Sequence, residues 1–336
     1  MQAAALTGFD PVTARGSGIV QIRLPMTGNP LRYINGYVVE DDDGLTLIDA
    51  GWKADDVLAA LNAGLDACGY SLADVRRLLI THCHFDHYGL AGTLGRAGVS
   101  ELLMHDRDWQ LARDHFSDPA ALDAAADDWI ARNGLKVDVS LDEELMHNRT
   151  EIAAPTRSLD DGERIGRLRA LWTPGHTPGH LCFVDERTGA MFTGDHILDP
   201  VTPHIGIWRP GNQNPLGDYI ASLHGVAAAG ATMVFPGHGE PFPSLARRVH
   251  ELLAHEAHRE RLIAAAFAGQ VKTAADIASV LPWTRRERPF AELSPTHQQF
   301  AVAETLAHLE HLRRRDAVES TERAGTITFA RTPARR

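Results

Sequence analysis

The sequence predicts an α/β fold, on three observations. Short β-type runs alternate with apolar residues at helical spacing through the first 245 residues, and several of the runs end in small-residue turns that carry His or Asp. With 44% hydrophobic and 23% charged residues the chain can bury a sizeable core, as a globular protein does and a disordered one does not. A length of 336 residues is long for one core, so the expectation is either one large α/β unit or a catalytic unit with an appendage.

The elements follow in order. "GIVQIRL" (18–24), "RYINGYVVE" (32–40) and "LTLIDAG" (45–51) read as strands, the last two joined by the acidic turn "DDDG". Val57, Leu58, Leu61 and Leu65 then recur at helical spacing, and "VRRLLITH" is a compact buried strand that ends at His82. "SELLMHDRDWQLARDHF" (100–116) is a further strand-helix step. From about Asp106 to Arg157 the chain turns polar and helix-prone, with "PAALDAAADDWIARNGL" its clearest amphipathic piece, and we read it as a helical insertion. It leaves the sheet between ligand motifs, so it should cover and shape the pocket, with Trp109, Phe116 and Trp129 facing core or pocket. Strands resume at "RIGRLRALWTPGH", "HLCFVDE" and "GAMFTGDH", then a helix at "LGDYIASLHGVAAAG" and a strand at "TMVFPGHGEP". Beyond it lie three helices, in "SLARRVHELLAHEAHRERLIAAAFAG", "TAADIASVL" and "THQQFAVAETLAHLEHLRRRDAV", and a β-type end "TITFA". The expected division is a catalytic unit over 1–245 and a small, mostly helical unit over 246–336.

Charge and cysteines narrow the classes. The net charge is −11, but residues 250–336 carry 13 Lys and Arg against 11 Asp and Glu, which leaves 20 against 33 in the first 249 residues. An acidic body of net −13 repels a polyanion and argues against nucleic acid as the partner. No stretch approaches the roughly 20 apolar residues that cross a bilayer, and the opening residues show no basic segment followed by an apolar run. Three separated cysteines, Cys68, Cys83 and Cys182, make neither a disulfide framework nor a zinc ribbon. The expectation is a cytoplasmic protein without a membrane span; a homo-oligomer is compatible with it.

The densest signal is "THCHFDHYG" (81–89), three histidines and an aspartate within six positions. In an extended segment alternate residues point the same way, so His82 and His84 project together while Cys83 points back into the core. Asp86 and His87 follow in the turn toward the next helix, close enough for a second ion beside the first. Ligand-type residues recur in "TPGHTPGH" (173–180), "FTGDH" (192–196) and "FPGHGEP" (235–241), where glycine lets backbone and ligand approach closely. Open α/β architectures place chemistry beyond their strand ends, which is where these tips fall.

Taken in this order, the four motifs resemble the metallo-β-lactamase superfamily over roughly residues 18–245. The resemblance implies an αβ/βα sandwich of two mixed sheets with helices outside, and a dinuclear metal centre at one edge. Carried over, His82, His84 and His176 hold one ion, Asp86, His87 and His238 the other, and Asp195 bridges them. A donor set of imidazole and carboxylate without thiolate suits two zinc ions, with iron or manganese compatible. Pro178 argues against a shared helical face for His176 and His180, so His176 is taken as the ligand and His180 as a residue behind it. His196 is read as support or packing, and His105, His204 and His224 as surface or core residues; Asp49 resembles a position that supports the ligand loop.

Such a centre implies hydrolysis: a metal-bridging hydroxide attacks a carbonyl, with Asp86 and Asp195 as the catalytic carboxylates. Within the superfamily the chain looks most like the glyoxalase II and β-lactamase-like protein types, and its tail resembles the winged-helix domain that follows the catalytic domain in the latter. The expected substrate is a small-molecule thioester or ester, including lactones, with Arg209, Arg285, Arg286 and Arg288 as candidate contacts for an anionic carrier. The rivals are a single-stranded RNA endonuclease of the β-lactamase-like type and a mononuclear-iron persulfide dioxygenase.

Overall fold

The computed structural model describes residues 11–117, 119–137, 151–209, 211, 213–284 and 286–332. Seven strands form the first sheet in chain order: β1 (Val12–Gly16), β2 (Ile19–Pro25), β3 (Tyr33–Asp41), β4 (Gly44–Ile48), β5 (Val75–Leu79), β6 (Glu101–Met104) and β7 (Arg157–Ser158). β1 to β4 run antiparallel, and Asp41 pairs with Gly44 across the acidic turn; from β4 to β7 the neighbours are parallel. Parallel neighbours need crossovers. These are α1 (Asp55–Asp66), then α2 (Phe85–Tyr88) with α3 (Ala91–Arg96), then the excursion that holds α4 (Asp106–Ser117) and α5 (Pro119–Arg132).

The second sheet has the order β12 (Val234–Pro236), β11 (Met191–Gly194), β10 (Leu181–Asp185), β9 (Leu168–Trp172) and β8 (Arg164–Ile165). β11 and β12 are its one parallel pair, joined by α6 (Pro215–Ala229), and the other pairs are antiparallel. α6 starts where the sequence says it should: the Asn214 side chain accepts from the Gly217 N–H, Pro215 opens the first turn, and Gly230 ends it in the left-handed region.

Strand alternation builds three layers of packing. Tyr37 and Val39 of β3 face the second sheet, where Leu168, Ala170, Phe183, Phe192 and Phe235 meet them. Ile34 and Val38 of the same strand point outward to α1 and α3. Between the sheets the rings of Tyr37, Phe192 and Phe235 lie 5.2–5.4 Å apart. The outer face of the second sheet, from Cys182, Val184 and Met191, is covered by α6 and by the C-terminal helices α7 (Leu245–Ala266), α8 (Ala274–Ser279) and α9 (Pro295–Arg314). Ribbons β13 (Pro282–Trp283) with β14 (Arg288–Pro289), and β15 (Val318–Arg323) with β16 (Thr326–Arg331), complete this end. One continuous cluster of buried side chains runs from Val184 and Leu223 to Val302, Leu309 and Phe329. This is the αβ/βα sandwich that the motifs imply, two mixed sheets with helices outside.

The segment between β6 and β7 holds the helices α4 and α5 and is irregular at 135–137 and 151–156, and its residues 118 and 138–150 lie outside the described residues. Trp109 packs on the helix side of the first sheet and Trp129 on the C-terminal cluster; the Phe116 side chain lies outside the described ones. No helix among the described residues is long and apolar enough to cross a membrane.

Candidate metal centre

All four motifs end at the same rim of the sandwich. β5 closes at Leu79, and His84 is the residue at the N-terminal cap of α2, whose short turn carries Asp86 and His87. His176 follows β9, Asp195 follows β11, and His238 follows β12. The donor atoms of His82, His84 and His176 lie within 4.8 Å of one another, as do those of Asp86, His87 and His238, and those of His82, His87 and Asp195. Every residue in the ligand set read from the sequence is therefore in the convergence. Asp195 stands between the two sets: its Oδ2 is 3.8 Å from His176 Nε2, while its Oδ1 is 3.4 Å from His87 Nε2 and 3.6 Å from His238 Nε2. His238 Nε2 is also 3.2 Å from Asp86 Oδ2.

The far nitrogen of most of these rings is already engaged, which fixes what the near one offers. His176 Nδ1 donates to the His204 carbonyl at 2.9 Å, and His238 Nδ1 to the Tyr33 carbonyl at 3.2 Å. The Thr81 hydroxyl gives its proton to Asp49 Oδ2 at 2.8 Å, so it accepts from His82 Nδ1 at 3.0 Å. His82 Nε2 and His176 Nε2 then carry lone pairs, and both sit 3.0 Å from His84 Nδ1. That nitrogen has one proton at most, so at least one pair of lone pairs faces without a proton between. His87 Nε2, His238 Nε2 and Asp195 Oδ1 are buried without a hydrogen-bond partner, although such atoms are costly to leave unpaired. Buried polar atoms without partners that converge on a common space, imidazole nitrogens that can give up a proton among them, fit divalent cations, so the residues present suit the metal that the fold implies.

Electrostatics separates the donors. Burial lowers His82 well below the ordinary histidine range and brings His84 down to about 3. His176 is lowered too, by burial against the pull of Asp195. Burial also opposes charge on His87 and His238, but Asp195 and its fellow carboxylates outweigh it and raise both. Burial would raise Asp195, yet His238 and His87 hold it well below the usual carboxylate range, and Asp86 is lowered in the same way.

The backbone is shaped for this approach. A Cβ on Gly237 would lie 2.7 Å from both Asp195 Oδ1 and His87 Cε1. Gly194 adopts φ +46°, and a Cβ there would lie 2.6 Å from Thr81 Oγ1.

Supporting residues surround the donors. Asp49, itself at φ +58°, accepts from Thr81 N and Thr81 Oγ1 at 2.8 Å and from His87 Nδ1 at 2.7 Å. His180 belongs to none of the donor groups; its ring stacks behind His82 at 5.2 Å, and its Nδ1 meets Thr173 Oγ1. His196 is buried against Tyr219, and burial lowers it to about 3. His105 stacks on Trp172, and His224 is exposed on α6. His204 supports the centre through its carbonyl, a role any residue could fill and no side-chain pattern could reveal. Cys83 is buried in the core. Sequence reasoning missed Asp108, whose buried carboxylate receives the backbone N–H of Cys83; burial raises it to about 6. An acid in the first turn of a helix looks ordinary in sequence, so the only signal was its place just after a strand of the motif-bearing sheet.

Comparison with known proteins agrees with this fold. The sequence profile of the metallo-beta-lactamase superfamily matches residues 29–238. A probable metallo-hydrolase of Bacillus subtilis strain 168 is 27% identical over 333 residues, which span 93% of this chain and 97% of that one. A metallo-beta-lactamase family protein from Thermus thermophilus superposes with a TM-score of 0.81 at 30% identity, covering 95% of this chain and 100% of its own. A beta-lactamase domain protein from Burkholderia ambifaria does so at 0.78 and 26%, covering 97% and 98%.

Proposed function

The chain belongs to the metallo-β-lactamase superfamily and is a metal-dependent hydrolase, and from that premise we propose that it cleaves thioesters or esters, lactones included, of small organic acids. The observation that carries the reading is Asp195, whose two oxygens face two sets of converging donors. His82, His84 and His176 would hold one divalent ion and Asp86, His87 and His238 the other, with zinc the metal that best suits these donors. Bound there, the ions would supply a strong Lewis acid and lower the pKa of water. The chain's own part is to place the groups: Asp86 orients the attacking water, Asp49 and the His204 and Tyr33 carbonyls hold the imidazoles in their tautomers, and the close backbone at Gly237 keeps the ligand loops together.

For the substrate, the acidic body favours a small molecule over a polyanion. Arg209 is half-buried, and no hydrogen bond or ion pair engages it among the described residues. Burial and Asp108 raise the Cys83 thiol well above its ordinary value, against a lowering pull from Arg209, so the charge of this cation is felt at the ligand loop. We assign it to an anionic group on the substrate or its carrier. Arg286 and Arg288 are exposed, and Arg285 lies outside the described residues.

We further assign residues 246–336 to a winged-helix-like unit: three helices, the β15–β16 ribbon, and a bridge from Lys272 to Phe329 as a third strand. In helix-turn-helix modules the second helix reads the groove. Here that helix, α9, buries Val302, Leu306 and Leu309 against the body, which speaks against groove binding. Cys68, Cys83 and Cys182 are free thiols, in keeping with a cytoplasmic setting. Metal-loaded protein assayed on acyl-CoA and glutathione thioesters, lactones, a cephalosporin and single-stranded RNA tests the proposal. Turnover of a thioester or lactone is expected, and turnover of RNA alone overturns it.

A further inference from the structure

Asp108 lies in the first turn of α4 with no exposed surface, and it makes no ion pair among the described residues. Its Oδ2 accepts from the backbone N–H of Cys83 at 2.9 Å and from the Thr177 hydroxyl at 2.7 Å, and its Oδ1 accepts from the Gly179 N–H at 2.5 Å. These partners belong to different loops. Cys83 sits between His82 and His84 beyond β5 of the first sheet, whereas Thr177 and Gly179 belong to the turn that carries His176 between β9 and β10 of the second. One carboxylate therefore spans the seam on which His84 Nδ1 and His176 Nε2 meet at 3.0 Å. Gly179 is fitted to it: a Cβ there would lie 2.5 Å from Asp108 N and 2.7 Å from Oδ1, so a larger residue would push the turn off the carboxylate.

We propose that Asp108 is a positioning residue of the metal centre, a clamp between the two ligand-bearing loops that sets His84 and His176 at the spacing one ion requires. The inference rests on the reading that His82, His84 and His176 hold an ion. It also gives α4 a duty besides packing Trp109 and Ala112 on the helix side of the first sheet. A carboxylate suits the post because it can receive several N–H and O–H groups at once while carrying no proton of its own into the contact. An asparagine of the same shape keeps one acceptor and turns an N–H₂ toward groups that are themselves donors.

The test uses the full chain loaded with Zn²⁺ and equilibrated against graded chelator, with ions retained per chain read by elemental analysis and the metal-free fold read by circular dichroism. Asp108→Asn should lose zinc at a chelator level at least about tenfold lower than the parent protein, the usual scale for removing an outer support of a ligand. Asp185→Asn breaks the buried pair with Arg167 elsewhere in the second sheet, so it should lower the melting temperature and leave zinc retention unchanged. Retention by Asp108→Asn within about twofold of the parent protein would overturn the clamp. Should that variant fail to fold, Thr177→Val decides on the same reading: weaker retention supports the clamp and unchanged retention overturns it. A parent protein that binds no zinc, iron or manganese would instead overturn the metal centre itself, a result the parent alone reveals.

Discussion

At the strand tips, Asp195 and Asp86 are held in their charged forms although burial favours the neutral acid, because His87 and His238 press against them. Between α7 and α9, burial wins: it raises Glu256 to about 7 and lowers His308 to about 4, although the two side chains are 3.3 Å apart. Both regions pair buried carboxylates with buried imidazoles, yet only one keeps charges. The difference is one of number and direction. At the tips several donors converge and leave His87 Nε2, His238 Nε2 and Asp195 Oδ1 unpaired around one space. In the helical pair a neutral carboxyl can donate its proton to His308 Nε2, and the atom of the pair left without a partner, His308 Nδ1, does not belong to any converging set of donors. A buried acid beside a histidine is thus no mark of a site; a convergent set of unpartnered polar atoms is.

The comparison breaks most visibly at Asp195. Asp195→Asn leaves a neutral amide with one acceptor oxygen where two sets of donors face a carboxylate, and it should keep the fold while turnover falls on the order of a hundredfold or more, matching several kcal/mol of lost transition-state stabilisation. Steady-state kinetics with an unchanged circular dichroism spectrum is the measurement. Near-parental turnover would put Asp195 in the same class as Glu256, a buried acid without a site.

A smaller effect is expected at Asp49, which touches the same region only through Thr81 and His87. Asp49→Asn leaves one acceptor oxygen where Thr81 N, Thr81 Oγ1 and His87 Nδ1 share two, and it should weaken metal retention by roughly 10- to 100-fold, as loss of an outer hydrogen-bond partner does. Titration of activity with added Zn²⁺ reads this directly. A loss of melting temperature with metal retention intact would make Asp49 a residue of the fold alone.

The contrast also explains what could be read beforehand. The H-x-H-x-D-H run is local, so extended geometry alone placed His82 and His84 together, and other donors follow strands with clear apolar runs such as "MFTG" before Asp195 and "VFP" before His238. Asp108 could not be read this way. Its importance lies in Cys83 N, Thr177 and Gly179, which are 25, 69 and 71 positions away. In the C-terminal part, the helices were legible from spacing, but β15 was not. "VESTER" is polar and exposed beyond Val318, and it is a strand only because β16 pairs along its whole length. The insertion shows both cases: α5 is amphipathic and plain in the sequence, while the first turn of α4 looks like any acidic helix start.

The smallest expected effect tests the other arm of the comparison, at Glu256. Its folded-state pKa of about 7 lies above the ordinary 4.5, so its contribution to stability is present below pH 4.5 and is lost as pH rises through 7. His308 does the opposite: its folded value of about 4 lies below the ordinary 6.5, so its contribution is present above pH 6.5 and is lost as pH falls through 4. The two nearly offset each other in the parent protein, in surroundings that also include His255, Arg259, Glu260 and Glu304. Glu256→Gln can still donate a hydrogen bond to His308 Nε2 but has no proton to lose, which leaves the His308 contribution unopposed. Relative to the parent, the variant should therefore gain stability as pH rises from 4.5 to 8, by on the order of 2 kcal/mol in urea unfolding at the two limits. Metal retention and turnover should stay at the parental level throughout, because nothing in the helical pair faces the strand tips. Equal pH slopes for the two proteins would mean that Glu256 keeps its charge as Asp195 does, and the distinction between the two clusters would fail.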